Sequence, residues 1–170
     1  MKGGGSFRKT EFGGVAYKNP EVYICGYTMA NTDWFVFSNA TQTARPFIIS
    51  YNWNVAVLNY VKWYSSTAVS PQSASFEKCK LSYNEQRIIV MGKTYITSNY
   101  DSGYDGLHII TASTGAHIKS WYHSNTAAGA LSLNIASGTA EMLDDKIFWI
   151  RNSGDGSVFL TTIDNTGSSP

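Results

Sequence analysis

The sequence has few charged residues and no long apolar run, and each shortage excludes a class of protein. Charged residues make up 15% of the 170 residues, below the usual quarter, and the formal net charge is +1. No cluster of lysine and arginine supplies the electrostatic footprint of a nucleic-acid-binding protein. No apolar run approaches the roughly 18 residues of a membrane-spanning helix. We therefore expect neither a nucleic-acid partner nor a membrane span.

Cysteine is also scarce, and the chain opens without an apolar segment. Two cysteines, Cys25 and Cys79, are too few for a disulfide framework. Unpaired cysteine behaves as a small hydrophobic residue, so we expect two buried thiols, with a single bridge between them as the alternative. The opening MKGGGSF has no signal-peptide core, so none is expected here. The low charge and the sequon that begins at Asn39, a candidate N-glycosylation site, favour an exported protein without fixing the compartment.

The abundant residues favour strands and turns. Hydrophobic residues make up 43% of the chain, enough for a packed core in one domain spanning 1–170. Aromatic residues reach 14%, and serine, threonine, asparagine and glycine fill the polar positions in place of strong helix formers. Because no stretch shows helical spacing, the composition predicts an all-β fold.

A repeat runs through the chain. Three apolar runs each follow a polar turn: EVYICG (21–26), RIIVMG (87–92) and KIFWIR (146–151). Two units also open with Ser-Phe, at residues 6 and 75, and two end in Trp-Tyr. We interpret the pattern as units of four antiparallel strands, the last without its fourth strand. The units span approximately 6–66, 75–124 and 131–170.

The apolar runs predict that these sheets stack. RIIVM and KIFWI are apolar at consecutive positions, whereas a strand with one face in water alternates. Continuous apolar residues indicate that both faces of the sheet are covered. Stacked four-stranded units are the geometry of a β-propeller.

Segments of the repeat units resemble known propeller repeats. EVYICGYT, DWFVF and VKWY together resemble the repeat of seven-bladed propellers, and DGLHIITASTG with KSW resembles the quinoprotein-like repeat. The resemblance implies a partial β-propeller of about three blades; a β-sandwich is the alternative fold. Gly115 and Trp121 are six residues apart, a wider spacing than the quinoprotein-like pattern has, which argues against a bound cofactor.

Aspartates recur near the second apolar run of each unit. They are Asp33, Asp105 and Asp155, and equivalent positions would form a ring on one face. Carboxylates of this kind suit a calcium or sugar site, but aspartate also caps its own backbone before a strand, and we favour this structural role. The three histidines accompany no second group at metal-ligand spacing, so no metal is expected.

Tryptophan offers a binding surface of another kind. Trp63 and Trp121 recur 58 residues apart, so we expect them to pack between units, and Trp149 lies within an apolar run that predicts a core position. Trp53 lies in FIISYNWNVAVL (47–58), which we interpret as an insertion without a counterpart. Since insertions in repeat proteins map to loops on the working face, Trp53 is the aromatic residue that we select as a ligand contact.

No nucleophile, metalloprotease or phosphate-binding motif is present, so we expect a protein that is not an enzyme. Three stacked units cannot close a ring, and their open faces and edges favour association with other proteins or with copies of the same chain. The first alternative is a carbohydrate-binding or glycan-acting protein that uses Trp53 and the aspartates. The second is a strand-donating subunit of an extracellular filament.

Overall fold

The computed structural model describes residues 10–28, 45–64, 73–95, 103–124, 139–143, 146–152 and 158–164. These residues form eleven strands and, across those ranges, no helix. In particular, they include no helix with the length and apolar character needed to cross a membrane. The expected all-β class is therefore confirmed for the part of the chain that the structure describes.

The strands form three antiparallel sheets, each a simple meander. The first sheet contains β1 (Thr10–Lys18), β2 (Glu21–Thr28), β3 (Arg45–Asn52) and β4 (Val57–Trp63). The second contains β5 (Ser73–Leu81), β6 (Arg87–Tyr95), β7 (Gly103–Thr111) and β8 (His117–Ser124). The third contains β9 (Thr139–Leu143), β10 (Lys146–Asn152) and β11 (Val158–Asp164), with β10 in the middle. The three predicted apolar runs are thus β2, β6 and β10, the second strand of each sheet.

The second sheet is covered on both faces, as its continuous apolar runs predicted. Ile88 and Val90 of β6 pack in one cluster with residues of the first sheet. Ile89 and Met91, the alternate residues of the same strand, pack in a second cluster with residues of the third sheet. All four are buried. Because successive side chains of a strand point to opposite faces, the three sheets form a stack with the second sheet in the middle.

The structural repeat begins later in the first unit than its sequence indicates. Phe12 pairs with Gly26, and Phe76 pairs with Gly92, each immediately before a β-bulge in the first strand of its sheet. Phe12 and Phe76 are therefore equivalent, and the prediction that equated the Ser-Phe openings was wrong in its register. A bulge adds one residue to one strand, which short sequence similarity does not reveal.

The third strand of the first sheet also differs from the prediction. RPFIISYN (45–52) forms β3 and pairs with β2 along its whole length, with Ile24 opposite Ile49. Residues 47–58 are therefore not an insertion but a strand, a turn and the start of β4. The β-branched residues of this run explain the pairing, because they pack well on a pleated surface.

The two cysteines lie together between the first and second sheets. Both are buried free thiols, as expected, and belong to the same core cluster. Cys25 pairs across the sheet with Gly14, and a side chain on Gly14 would approach the backbone nitrogen of Cys79 to 2.8 Å. The close approach of β1 to β5 therefore depends on glycine at position 14. The hydrogen bond with Cys79, together with burial, raises the pKa of Cys25, which stays protonated at neutral pH.

Tyr60 of β4 and Tyr64, which directly follows β4, join the first sheet to the turn between β7 and β8. The hydroxyl of Tyr60 donates to the carbonyl of Ala112 at 2.7 Å, and that of Tyr64 donates to the carbonyl of Gly115 at 2.8 Å. Burial raises the pKa of both hydroxyls, so both remain donors at neutral pH. These bonds join residues more than 50 positions apart and fix one sheet against the next.

We expect Tyr60→Phe and Tyr64→Phe each to lower the free energy of unfolding by about 1 kcal/mol. Each change removes one inter-sheet hydrogen bond and leaves a carbonyl without that donor. For a domain of this size the melting temperature should fall by roughly 2–4 °C per variant. Tyr83→Phe is the matched control, because Tyr83 is 88% exposed. A loss as large in the control as in the two variants would contradict this role for the bonds.

Candidate interaction surface

The first sheet presents an apolar face on the side away from the second sheet. Successive side chains of a strand point to opposite faces, so the neighbours of the buried core residues lie on this side. The strand register aligns them in three rows across all four strands, and every member is apolar, aromatic or glycine. The rows are Phe12, Gly26, Phe47 and Trp63; Val15, Ile24, Ile49 and Val61; and Tyr17, Val22, Tyr51 and Leu58. We call these twelve residues the outer face of the first sheet.

Much of this outer face is accessible to solvent. Val15 is 62% exposed, and Phe12, Tyr17 and Leu58 are also among the exposed large apolar residues. Phe47 is buried within it, with its ring edge-to-face with those of Phe12 at 6.0 Å and Trp63 at 5.8 Å. A contiguous exposed apolar patch usually marks a site of interaction with a partner, because monomeric soluble proteins rarely expose large patches of this kind.

The far side of the third sheet presents apolar residues beside polar and charged ones, among them the exposed Thr162 and Lys146. Ile147, Trp149 and Ile163 point toward the second sheet and are buried. The alternating residues point the other way: Ile150 is exposed, and Leu160, directly opposite it on β11, is 62% exposed. The stack therefore presents accessible apolar residues at both of its ends.

The aspartates selected from the sequence do not form a complete set of equivalent positions. Asp105 lies in β7 opposite Lys93 of β6. Lys93 of the second sheet corresponds to Tyr27 of the first, and Tyr27 lies opposite Pro46. The position that corresponds to Asp105 is therefore Pro46, so the predicted equivalence with Asp33 fails. Asp33 and Asp155 lie outside the described residues, as does the sequon at Asn39.

Trp53 is exposed in the turn between β3 and β4. Its backbone nitrogen donates to the carbonyl of Pro20 at 3.1 Å, and Asn52 accepts a hydrogen bond from Asn54 in the same turn. The turn between β7 and β8 is its counterpart in the second sheet, so Trp53 does not belong to an unmatched insertion. It lies at the turn end of the first sheet, apart from the outer face.

The recurrent tryptophans lie on opposite faces of their sheets. Trp121 pairs with Leu107 and packs in the cluster between the second and third sheets. Trp63 pairs with Phe47 on the outer face of the first sheet. The expectation of packing between units therefore holds for Trp121 but not for Trp63. A difference of one residue in register moves a side chain to the other face. Trp149 is buried, as predicted.

Two histidines converge on one serine of β8. Nδ1 of His108 lies 2.7 Å from Oγ of Ser120, and Nε2 of His117 lies 2.6 Å from the same oxygen. A bulge at residue 118 places His117 and Ser120 on the same face. His108 is 8% exposed and its ring lies 5.1 Å from that of Phe76. The hydroxyl donates to one ring and accepts from the other, which satisfies a buried polar group inside the interface between the first two sheets.

A cleft of about 350 Å³ opens at the turn end between the first two sheets. Its lining includes Lys18, Glu21, Glu85 and Arg87, and the Lys18 and Glu85 side chains approach to 4.0 Å across it. Charges of both signs in an exposed setting stay hydrated and neutralise one another. Among the residues that the structure describes, no three histidine, cysteine or acidic side chains are close enough to hold a metal ion.

The outer face was not predicted from the sequence, although the apolar residues of β2 indicated it. EVYICG is as continuously apolar as RIIVMG, so Val22 and Ile24 predicted a second covered face for the first sheet as well. Within the described residues, the second sheet covers the face that carries Tyr23 and Cys25. The other face of β2, which carries Val22 and Ile24, belongs to the candidate surface.

No protein-family model matches the chain, and no curated protein sequence matches it.

Proposed function

We propose that the chain is a non-catalytic interaction module, a partial propeller of stacked sheets that binds proteins through the outer face of its first sheet. The single observation that supports this function is the outer face itself: twelve positions in register across four strands, none of them charged, with two tyrosine hydroxyls and one indole N–H as the polar side-chain groups. Burial of such a face releases free energy of about 25 cal/mol per Å² of apolar area.

The surrounding geometry supports the same function. In the second sheet, the equivalent face is fully used, with Ile88 and Val90 buried against the first sheet. A strand that faces water usually alternates apolar and polar residues, so a face with this composition favours cover by a partner. A binding role for the face accounts for the apolar residues that the fold of the described chain leaves exposed.

We expect the dilute protein to bind the apolar dye 8-anilinonaphthalene-1-sulfonate while fully folded. Tyr17→Glu should reduce the fluorescence of the bound dye several-fold, because the glutamate places a hydrated charge within the outer face and repels the sulfonate of the dye. Tyr83→Glu is the matched control, since Tyr83 is exposed on the turn between β5 and β6, away from the face. Equal fluorescence of all three proteins, or none with the wild type, would show that the face is not an accessible apolar surface and would contradict the proposed function.

A further inference from the structure

We propose that the partner of the outer face is a second copy of this chain, which docks with the far face of its third sheet. Copies then stack head to tail in the same manner as the sheets within one chain. This inference rests on the proposed function, because it names the partner of the same surface. The strand register defines which positions of the three sheets are equivalent.

The first half of the interface repeats one that exists inside the chain. The second sheet packs on the first through Phe76, Ile88 and Val90. Phe12 is the counterpart of Phe76, because each is opposite a glycine before a bulge. Val22 and Ile24 occupy in β2 the positions that Ile88 and Val90 occupy in β6. The outer face of the first sheet therefore has the residues with which one sheet of this protein packs on the sheet before it.

The second half of the interface lies at the other end of the stack. On each of the first two sheets, the next sheet packs against the third and fifth residues of the second strand. These residues are Tyr23 and Cys25 in β2, and Ile89 and Met91 in β6. In β10 these positions are Phe148 and Ile150, which alternate with the buried Ile147 and Trp149 and so point away from the second sheet. The third sheet thus presents the receiving half, and the first sheet of another copy presents the docking half.

The smaller of the two faces limits the interface. Strands lie about 4.8 Å apart and rise about 3.3 Å per residue, so the four-stranded outer face measures roughly 20 by 25 Å and the three described strands of the third sheet roughly 15 by 20 Å. Covering the smaller face buries on the order of 600 Å² on the two sides together, the size of a weak interface. None of the twelve outer-face residues is charged, whereas the third sheet places Lys146 opposite Asp164, and Glu141 opposite Phe148. We therefore expect a weak association that depends on protein concentration and that one lysine placed within the interface prevents.

The interface joins two different faces, so it is heterologous. Such interfaces close into a ring when the rotation between copies permits it and otherwise continue as a filament. Two copies of three sheets would give six, within the range of closed propellers. If the outer faces of two copies paired with each other, they would form a two-fold dimer, and the far face of the third sheet would stay exposed.

Two complementary variants test the proposal by light scattering after size exclusion. Val15→Lys disables the outer face of the first sheet, and Leu160→Lys disables the far face of the third. Both residues are 62% exposed, so both variants should fold, and circular dichroism with a melting curve verifies this. The wild type should elute at multiples of 18.7 kDa, while each variant alone should remain at 18.7 kDa, with an association at least tenfold weaker.

The mixture of the two variants gives the decisive result. One intact face remains on each variant, and these two faces form a single wild-type junction, so an equimolar mixture should form a dimer and nothing larger. Tyr83→Lys should associate as the wild type does. A mixture that stays at 18.7 kDa, a Leu160→Lys protein that still dimerises, or a wild type that is monomeric at every concentration would each overturn the proposal. Dye binding by a monomeric wild type would overturn it while the proposed function survives.

Discussion

Replacement of Gly92 by valine is expected to lower the free energy of unfolding by about 3 kcal/mol or more. Gly92 lies in β6 opposite Phe76, and a side chain there would collide with the carbonyl oxygen of Ser75 in β5. The obstacle is backbone in a paired strand, so no rotamer change relieves it. Since domains of this kind are stable by only about 5–15 kcal/mol, the loss is a large part of the total. Urea denaturation and a melting curve measure it, with a decrease of roughly 6–12 °C expected.

The neighbouring residue provides the control for this prediction. Met91→Leu conserves volume within the cluster between the second and third sheets and should cost less than about 1.5 kcal/mol. Gly26, the counterpart of Gly92 in the first sheet, faces the carbonyl oxygen of Glu11 in the same way, so Gly26→Val should behave like Gly92→Val. A valine at either glycine that matched the stability of Met91→Leu would contradict the close approach of the strands.

Acid should destabilise the protein through His108. Burial lowers the pKa of His108 from its ordinary 6.5 to about 3, and the nearby His117 acts in the same direction. The unfolded chain therefore binds a proton at a higher pH than the folded protein does. The stability that the neutral ring provides is complete above about pH 6.5 and is lost as the pH falls toward 3, at about 1.4 kcal/mol per pH unit. Urea midpoints measured across this range give the slope.

A variant without the titrating ring isolates the effect. His108→Asn retains a polar partner for Ser120 but cannot take up a proton, so its stability should vary less with pH between 6.5 and 3 than that of the wild type. His117→Asn should retain most of the wild-type slope, because His117 is exposed and only His108 lies inside the interface. Parallel slopes for His108→Asn and the wild type would show that the acid sensitivity arises elsewhere.

The strands at the centre of each sheet could be predicted because their signal is local. EVYICG, RIIVMG and KIFWIR each supply consecutive apolar residues after a polar turn, and these became β2, β6 and β10. Burial on both faces was predicted for β6 and β10 alike; it is confirmed for β6, whereas Ile150 of β10 is exposed. The interpretation of residues 47–58 as an insertion failed because the apolar residues of RPFIISYN do not by themselves show that this segment pairs with β2.

The candidate surface could be predicted only in part. The apolar residues at Val22 and Ile24 indicate a second covered face, but their neighbours on that face come from β1, β3 and β4, whose register depends on bulges. One bulge follows Phe12 and another lies near Tyr51. A shift of one residue exchanges the two faces of a strand. For the same reason the equal spacing of Trp63 and Trp121 did not place them on the same face.

The sequence by itself determined the all-β class, the number of repeated apolar strands and the stacking of the sheets, because alternation and propensity act between neighbouring residues. Tertiary structure alone decided which face of each strand is buried, which residues are equivalent between sheets and where the histidines and cysteines meet. These outcomes depend on strand register and bulges, which are set by the pairing of segments far apart in the chain. The outer face of the first sheet results from both: local apolar residues form it, and the stack of sheets leaves Phe12, Val15, Tyr17 and Leu58 exposed on it.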